Sequence, residues 1–378
     1  MNIENKIIEY RRYIHKNPEI GYETYNTASF VNKILTELGY KTKMILNNSA
    51  VIAYLDLGFK KTIALRTDMD ALPIVEQVES EYKSCNTNMH ACGHDCHTAM
   101  LLGASELIIN DKNLLKSNIR LIFQCAEEGP LPGGAVKVLE TGLLDDVDEF
   151  YALHVNNNYK VGEVAIKSSE AFSGPDFFDV EVVGKGAHGS TPELGNNPII
   201  PLSQIALEIN SMIEEMRKTT ACAATVTKLN AGSAYNVIED KAILGGTIRT
   251  FNIETRNTIA NNITNICKNI ESKYKVKATF RHYLGYDPLY NHPESVNKFI
   301  EIASSTKEIT NVIKLEKPTM VGEDFTYYIK NKPGCIAWLG VRNEKNDEII
   351  SLHSPNFYID EKALIIGTKL LYNIALKS

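Results

Sequence analysis

The stretch His90-Ala91-Cys92-Gly93-His94-Asp95-Cys96-His97 concentrates more potential chemistry than any other part of the chain. Cys92 and His94 stand two apart, and Gly93 between them gives the backbone room to turn both side chains toward one point. A thiolate and an imidazole are good ligands for a borderline-soft divalent ion such as zinc. Further along, the adjacent carboxylates Glu127 and Glu128 offer one group to hold metal and one free to move protons, which metal-assisted hydrolysis requires. A Cys-x-His pair alone is common by chance, and a glutamate pair alone is usually solvated surface. Their coincidence at strand ends points to a metallohydrolase.

These residues need a scaffold, and the chain is long enough for two domains at 378 residues. Its 44% hydrophobic and 23% charged residues are those of a globular protein. Forty basic against 46 acidic residues, a net charge of −6, make no case for nucleic acid as a partner. The seven cysteines are an odd number without regular spacing, so a disulfide framework is not expected. Cys125, Cys222 and Cys335 lie in apolar stretches and read as buried thiols. No signal-like apolar core follows the N-terminus, and no apolar run reaches the roughly 18 residues that a membrane helix needs. A cytoplasmic enzyme without a membrane partner is expected.

Two rhythms follow one another. Apolar runs at Val51–Leu55, Thr62–Leu65, Ile119–Gln124 and Phe150–Val155 alternate with helical patterns, among them Thr98–Ile109 and Val136–Leu139. Buried strands separated by helices predict an α/β domain built on a mainly parallel sheet, whose sites lie at the carboxyl ends of strands. Asp68 and Asp70 follow one such run, Glu127 and Glu128 another, and the last ends on His154. Residues 172–286 instead predict the order β-α-β-β-α-β of a ferredoxin-like unit. It begins with a strand at Phe177–Val183 and continues with a helix capped by Asn197. The expected division is 1–171 with 287–378, interrupted by an inserted 172–286 domain.

Six blocks in this order resemble the M20 metallopeptidase and aminoacylase family, in particular its amidohydrolase branch. They are Arg66-Thr67-Asp68-Met69-Asp70-Ala71-Leu72-Pro73, Met89 through His97, Phe123 through Gly129, Ala152-Leu153-His154-Val155, Gly322-Glu323-Asp324-Phe325 and Leu352-His353-Ser354-Pro355. The resemblance implies a catalytic domain with a ferredoxin-like lid that forms a homodimer. It implies two divalent ions (zinc, or manganese, cobalt or nickel) held by Cys92, His94, Glu128, His154 and His353. Glu127 would be the proton shuttle, with Asp68 and Asp70 orienting ligands. In the lid, His188 would reach the scissile carbonyl, while Arg249, assisted by Asn236, would bind a substrate carboxylate.

The implied reaction cleaves the amide bond of an N-acyl (N-acetyl or aromatic acyl) amino acid by attack of a metal-bound water. N-acetyl-LL-diaminopimelate deacetylase is one specific alternative. A hydrolase using the Cys92 thiol with His94 as base is a second, and a catalytically silent dimeric binding protein a third. His90 and His97 read as supporting residues, His15, His282 and His292 as structural or solvated, and Asp324 as a helix cap. The chain departs from the branch's usual pattern at Glu193, Glu239, Cys96 and Cys125, none of them an implied ligand.

Overall fold

Every residue of the strands Thr62–Asp68 and Asn118–Gln124 is buried, on both alternating rows of side chains. That requires interior strands of a sheet covered on both faces. The computed structural model describes residues 2–343 and 348–378, which divide into two compact units.

The first unit comprises residues 1–169, 290–317 and 324–378. It holds an eight-stranded sheet. Asn118–Gln124, Thr62–Asp68, Glu149–Lys160 and Gly334–Arg342 run parallel at its centre. Ala50–Leu55 and then Lys41–Ile45 extend one side in antiparallel pairing. On the other side Glu163–Ile166 lies antiparallel to Gly334–Arg342, and Asn311–Lys314 closes the edge parallel to it. This is the expected α/β class, with antiparallel strands toward the margins.

The helix His94–Asn110 is buried without a break from His94 to Ser105, so it lies inside the unit and shows no solvent face there. A Cβ on its Gly103 would stand 2.7 Å from Ile7 Cδ1 and 3.0 Å from Thr368 Cγ2. The helices Ile3–Lys16 and Lys362–Lys377 therefore pack against it at close range. The helix begins four residues earlier than the apolar periodicity predicts, because its first turn is built from polar site residues. A second difference concerns His154. The strand does not end there but continues to Lys160 through Asn156, Asn157 and Asn158, so His154 lies mid-strand.

The second unit comprises 170–289 and 318–323, the last segment being one that the sequence assigns to the first domain. Its sheet has the order Cys222–Ala231, Lys241–Thr250, Gly174–Val183, Lys277–Tyr283, with every neighbouring pair antiparallel. The helices Ile199–Met216 and Ile253–Tyr274 supply Leu202, Ile205, Ile209, Ile259 and Ile263 to a core shared with Phe178 and Val180. Pro198, not Asn197, takes the N-cap position of the first helix; Asn197 Oδ1 accepts from the Ile199 N–H at 2.9 Å. Among the described residues no helix is long and apolar enough to cross a membrane.

Candidate metal centre

Gly93 adopts φ +84 at the head of the helix His94–Asn110. A Cβ at this position would fall 2.3 Å from Val155 Cγ2, so only glycine lets the loop turn while pressed against the strand Glu149–Lys160. This contact places Cys92 Sγ 3.5 Å from His154 Nε2. His154 Nδ1 lies 2.8 Å from the Val155 carbonyl, which can only accept. The proton is therefore on Nδ1, and the lone pair of Nε2 remains on the side of Cys92.

His97 is used differently. Its Nε2 accepts the Val155 N–H at 2.9 Å, and its Nδ1 then donates to Asp68 Oδ1 at 2.6 Å. Both ring nitrogens are engaged by protein, so His97 braces the strand that carries His154. Asp68 also accepts from Arg66 Nη1 at 2.6 Å through Oδ2, and its carbonyl accepts from Thr98 Oγ1. Asp70 has a separate task. Its two oxygens accept the backbone N–H groups of Glu127 and Glu128, each at 2.9 Å. Ala126 just before them has φ +56, a left-handed turn that this carboxylate clamp holds in place.

His94 is fully buried, yet neither ring nitrogen has a hydrogen-bond partner. Its Nδ1 lies 3.6 Å from Asp70 Oδ1 and its Nε2 3.8 Å from Glu127 Oε2. His353, at φ +66, brings Nε2 to 2.9 Å from Glu128 Oε1, and its backbone N–H donates to the Ala91 carbonyl. Among the groups of possible ligand atoms within 4.8 Å of one another are Cys92 with His94 and His154, Cys92 with Glu128 and His353, and His94 with Glu127 and Glu128; Asp68 with His94 and His97, and Glu127 with Glu323 and Asp324, also meet that distance. One thiol, three imidazoles and two carboxylates in this space fit divalent ions of intermediate softness. The orphaned nitrogens of His94 fit that reading, since a buried polar group without a partner is costly.

The charges around these donors are strongly coupled. Burial alone would lower the pKa of His94, but Asp68, Asp70 and Glu128 outweigh it and hold the imidazole up at about 10. Burial and the nearby Glu128 and Glu127 push the Cys92 thiol well above its usual range. Burial, aided by His97, keeps His154 neutral. For Asp68, burial is overcome by His94, His97 and Arg66, which hold its carboxyl far below the usual range. For Glu128 the bond to His353 outweighs burial and lowers the pKa. A cation placed among these groups would take over the role of the proton on His94 and release that on Cys92.

The residues implied for substrate lie in the second unit. His188 and Asn236 come together there. The two-residue strand Ala187–His188 pairs with Val237–Ile238, and the Gly189 N–H donates to the Asn236 carbonyl at 2.8 Å. His188 Nδ1 accepts from the Ser190 N–H at 3.1 Å, leaving the proton on Nε2 of an exposed ring. Arg249 is half-buried near the end of the strand Lys241–Thr250, and burial lowers its pKa against the pull of Asp176.

One supporting network is not identified by the sequence reading. Arg66 Nη2 donates to Asp324 Oδ1 at 2.7 Å, Arg66 Nε to Gln124 Oε1 at 3.1 Å, and Gln124 Nε2 to Asp324 Oδ2 at 2.7 Å. Asp324 also accepts the Ala135 N–H at the start of Gly134–Leu139, so it caps that helix and not one that follows it in the chain. The available signal is Arg66 itself, a cation directly after the apolar residues Ile63, Ala64 and Leu65 of a fully buried strand. His15 is structural as expected, since it bonds to Asp95 and Glu76 beside Arg11. His282 pairs with Asp176 in the same way. His90 is buried with both nitrogens unpartnered, and its pKa is driven down to about 3 by that burial.

Comparison with known proteins agrees with this geometry. The family model described as peptidase family M20/M25/M40 matches residues 64–377. The N-acetyl-L-cysteine deacetylase of Bacillus subtilis is 36% identical, covering 99% of this chain and 88% of its own length. Thermostable carboxypeptidase 2 of Saccharolobus solfataricus is 35% identical, over 99% and 96% respectively. The solved structure of a dinuclear metal-binding M20 peptidase from Bacillus subtilis superposes with a TM-score of 0.85 at 29% identity, covering 99% of this chain and 98% of that one.

Proposed function

Because the chain belongs to peptidase family M20/M25/M40 and is a hydrolase of amide bonds, we propose that it releases an amino acid from an N-acyl amino acid, using two divalent ions. The observation that carries this reading is the buried group of Cys92, His94 and His154, with both His94 nitrogens unpartnered and the His154 lone pair beside the thiol. The named relatives support the substrate class. A deacetylase of an acetylated amino acid and a carboxypeptidase both cut an amide whose nitrogen belongs to an amino acid with a free carboxylate.

In this reading Cys92, His94, Glu128, His154 and His353 hold the ions. Bound there, divalent ions polarise the amide carbonyl and acidify water. Glu127 takes a proton from the attacking water as the C–O bond forms and then delivers it to the leaving nitrogen, whose departure breaks the C–N bond and restores the carbonyl. Asp70 fixes the turn that presents Glu127 and Glu128, and Asp68 orients His97 behind His154. His188, with its proton on Nε2, donates to the carbonyl oxygen as charge develops there. Arg249 pairs with the substrate carboxylate, with Asn236 beside His188 assisting.

The rival in which the Cys92 thiol attacks is disfavoured, since nucleophilic cysteines have lowered pKa values and this one is raised. A homodimer through the second unit is supported by Cys222–Ala231 forming a sheet edge and by the exposed Leu207 and Leu229. A cytoplasmic setting is supported by seven cysteines that are all free thiols. The test is Glu127→Gln. Turnover should fall by roughly 10²–10⁴-fold while bound metal, counted by atomic absorption, stays at the wild-type level. A fully active, metal-replete variant would sink the assignment.

A further inference from the structure

His353 differs from the other proposed ligands in how it is held. Its side chain is half exposed, whereas Cys92, His94 and His154 are buried. It comes from a loop, residues 350–358, that contains neither helix nor strand. Its φ of +66 is a left-handed conformation, which a non-glycine residue keeps only where its surroundings over-determine it. Near the ligand, the His353 N–H donates to the Ala91 carbonyl at 2.9 Å, and the Pro355 carbonyl accepts from the Gln77 N–H at 2.8 Å.

The two ends of the loop are joined by a single side chain that the mechanism above does not use. Asn157 Oδ1 accepts the Ile350 N–H at 3.1 Å, and Asn157 Nδ2 donates to the Tyr358 carbonyl at 3.2 Å. The orientation of the amide is settled, because a backbone N–H can only donate and a carbonyl can only accept. Asn157 is buried, so bulk water does not compete for either bond. It stands three residues after His154 on the strand Glu149–Lys160. One strand therefore carries one ligand and the clasp of the loop that carries another.

We propose that Asn157 is a positioning residue for His353 and, through it, sets the affinity of one of the two ions. The proposal rests on the two-ion reading above. Cys92, His94 and His154 form a group of possible ligands without His353, whereas the group of Cys92, Glu128 and His353 depends on it. Loss of the clasp frees both ends of the loop and acts on the second group alone.

The test is zinc titration of chelator-stripped protein against a chromophoric chelator, which reads each binding step without turnover. The wild type should take up two ions per chain. Asn157→Ala should bind one with wild-type affinity and the other about 10–100-fold more weakly, the usual cost of losing a partner behind a ligand. His353→Ala should weaken the same ion, and adding Asn157→Ala to it should change neither step further. Asn157→Asp keeps the bond to Ile350 but sets an oxygen against the Tyr358 carbonyl, and it should show the same one-ion loss. Equal weakening of both ions, an unchanged titration by folded variants, or a repeated loss in the His353→Ala background overturns the proposal. Failure of both Asn157 variants to fold does the same, since it makes Asn157 a support of the whole unit. A wild type that binds fewer than two ions instead refutes the two-ion reading on which the proposal stands.

Discussion

His97 in the first unit and His188 in the second each have one ring nitrogen accepting from a backbone N–H, yet they sit in opposite surroundings. His97 is buried, and its second nitrogen bonds to Asp68, which is itself held by Arg66. His188 is exposed on a two-residue strand with Nε2 uncommitted. The same contrast separates Asp70, whose oxygens are both spent on the Glu127–Glu128 turn, from the exposed Asn236. The first unit thus contains a preorganised constellation whose supports are finished within it. The second presents groups to which only the proposed reading gives a task, that of meeting the substrate. Metal affinity should depend on the first set and substrate affinity on the second.

The largest expected effect falls on the first set. His94→Ala or His154→Ala should abolish hydrolysis and release metal on dialysis, read as metal per chain; retained metal with retained activity would remove these residues from the ligand set. His97→Ala should weaken metal affinity or activity by about 10–100-fold, the usual cost of losing a partner behind a ligand. An unchanged metal titration would show that the brace on Val155 is dispensable. Asp70→Asn would set an amide N–H₂ against one of the two backbone donors and leave it unpaired, at a cost of about 1–3 kcal/mol. Thermal unfolding should record that loss alongside lower kcat. The comparison would break if Arg249→Ala or His188→Ala emptied the metal site.

For the second set, Arg249→Ala should raise KM for carboxylate substrates by about tenfold and leave KM for the matching carboxamides almost unchanged, an interaction on the scale of a rim or binding-site charge pair. Equal effects on both would assign Arg249 to the fold.

The smallest effect is a pH dependence of the metal-free protein. His94 has a folded pKa raised from the ordinary 6.5 to about 10, so its stabilisation is complete below pH 6.5 and disappears as pH rises toward 10. Chelator-treated protein should lose melting temperature across that window, and saturating divalent ion should abolish the slope. A flat profile without metal would contradict the pairing of His94 with Asp68 and Asp70.

Much of the first set is legible in the sequence because its residues cluster in short stretches: Cys92 with His94, Asp68 with Asp70, Glu127 with Glu128. The strand boundaries are legible where burial is complete, as at Thr62 and Gln124. The strands Lys41–Ile45 and Asn311–Lys314 are not, because each of these margin strands has only two apolar residues, side by side, and so gives no apolar alternation in the sequence. The Arg66–Gln124–Asp324 network is also hidden, since its members are 58 to 258 positions apart and only folding brings them together. His154 is found as a ligand candidate but misplaced to a strand end, because the asparagines after it look like a loop while they continue the ladder.

The central claim is that hydrolysis needs divalent ions held by Cys92, His94, Glu128, His154 and His353. The most direct measurement strips the protein with chelator, adds back a divalent ion in steps, and follows N-acyl amino acid hydrolysis together with metal per chain. The account predicts that activity is lost on stripping and returns in proportion to occupancy, saturating near two ions per chain. Hydrolysis that is indifferent to chelator, or that returns without bound metal, would contradict it.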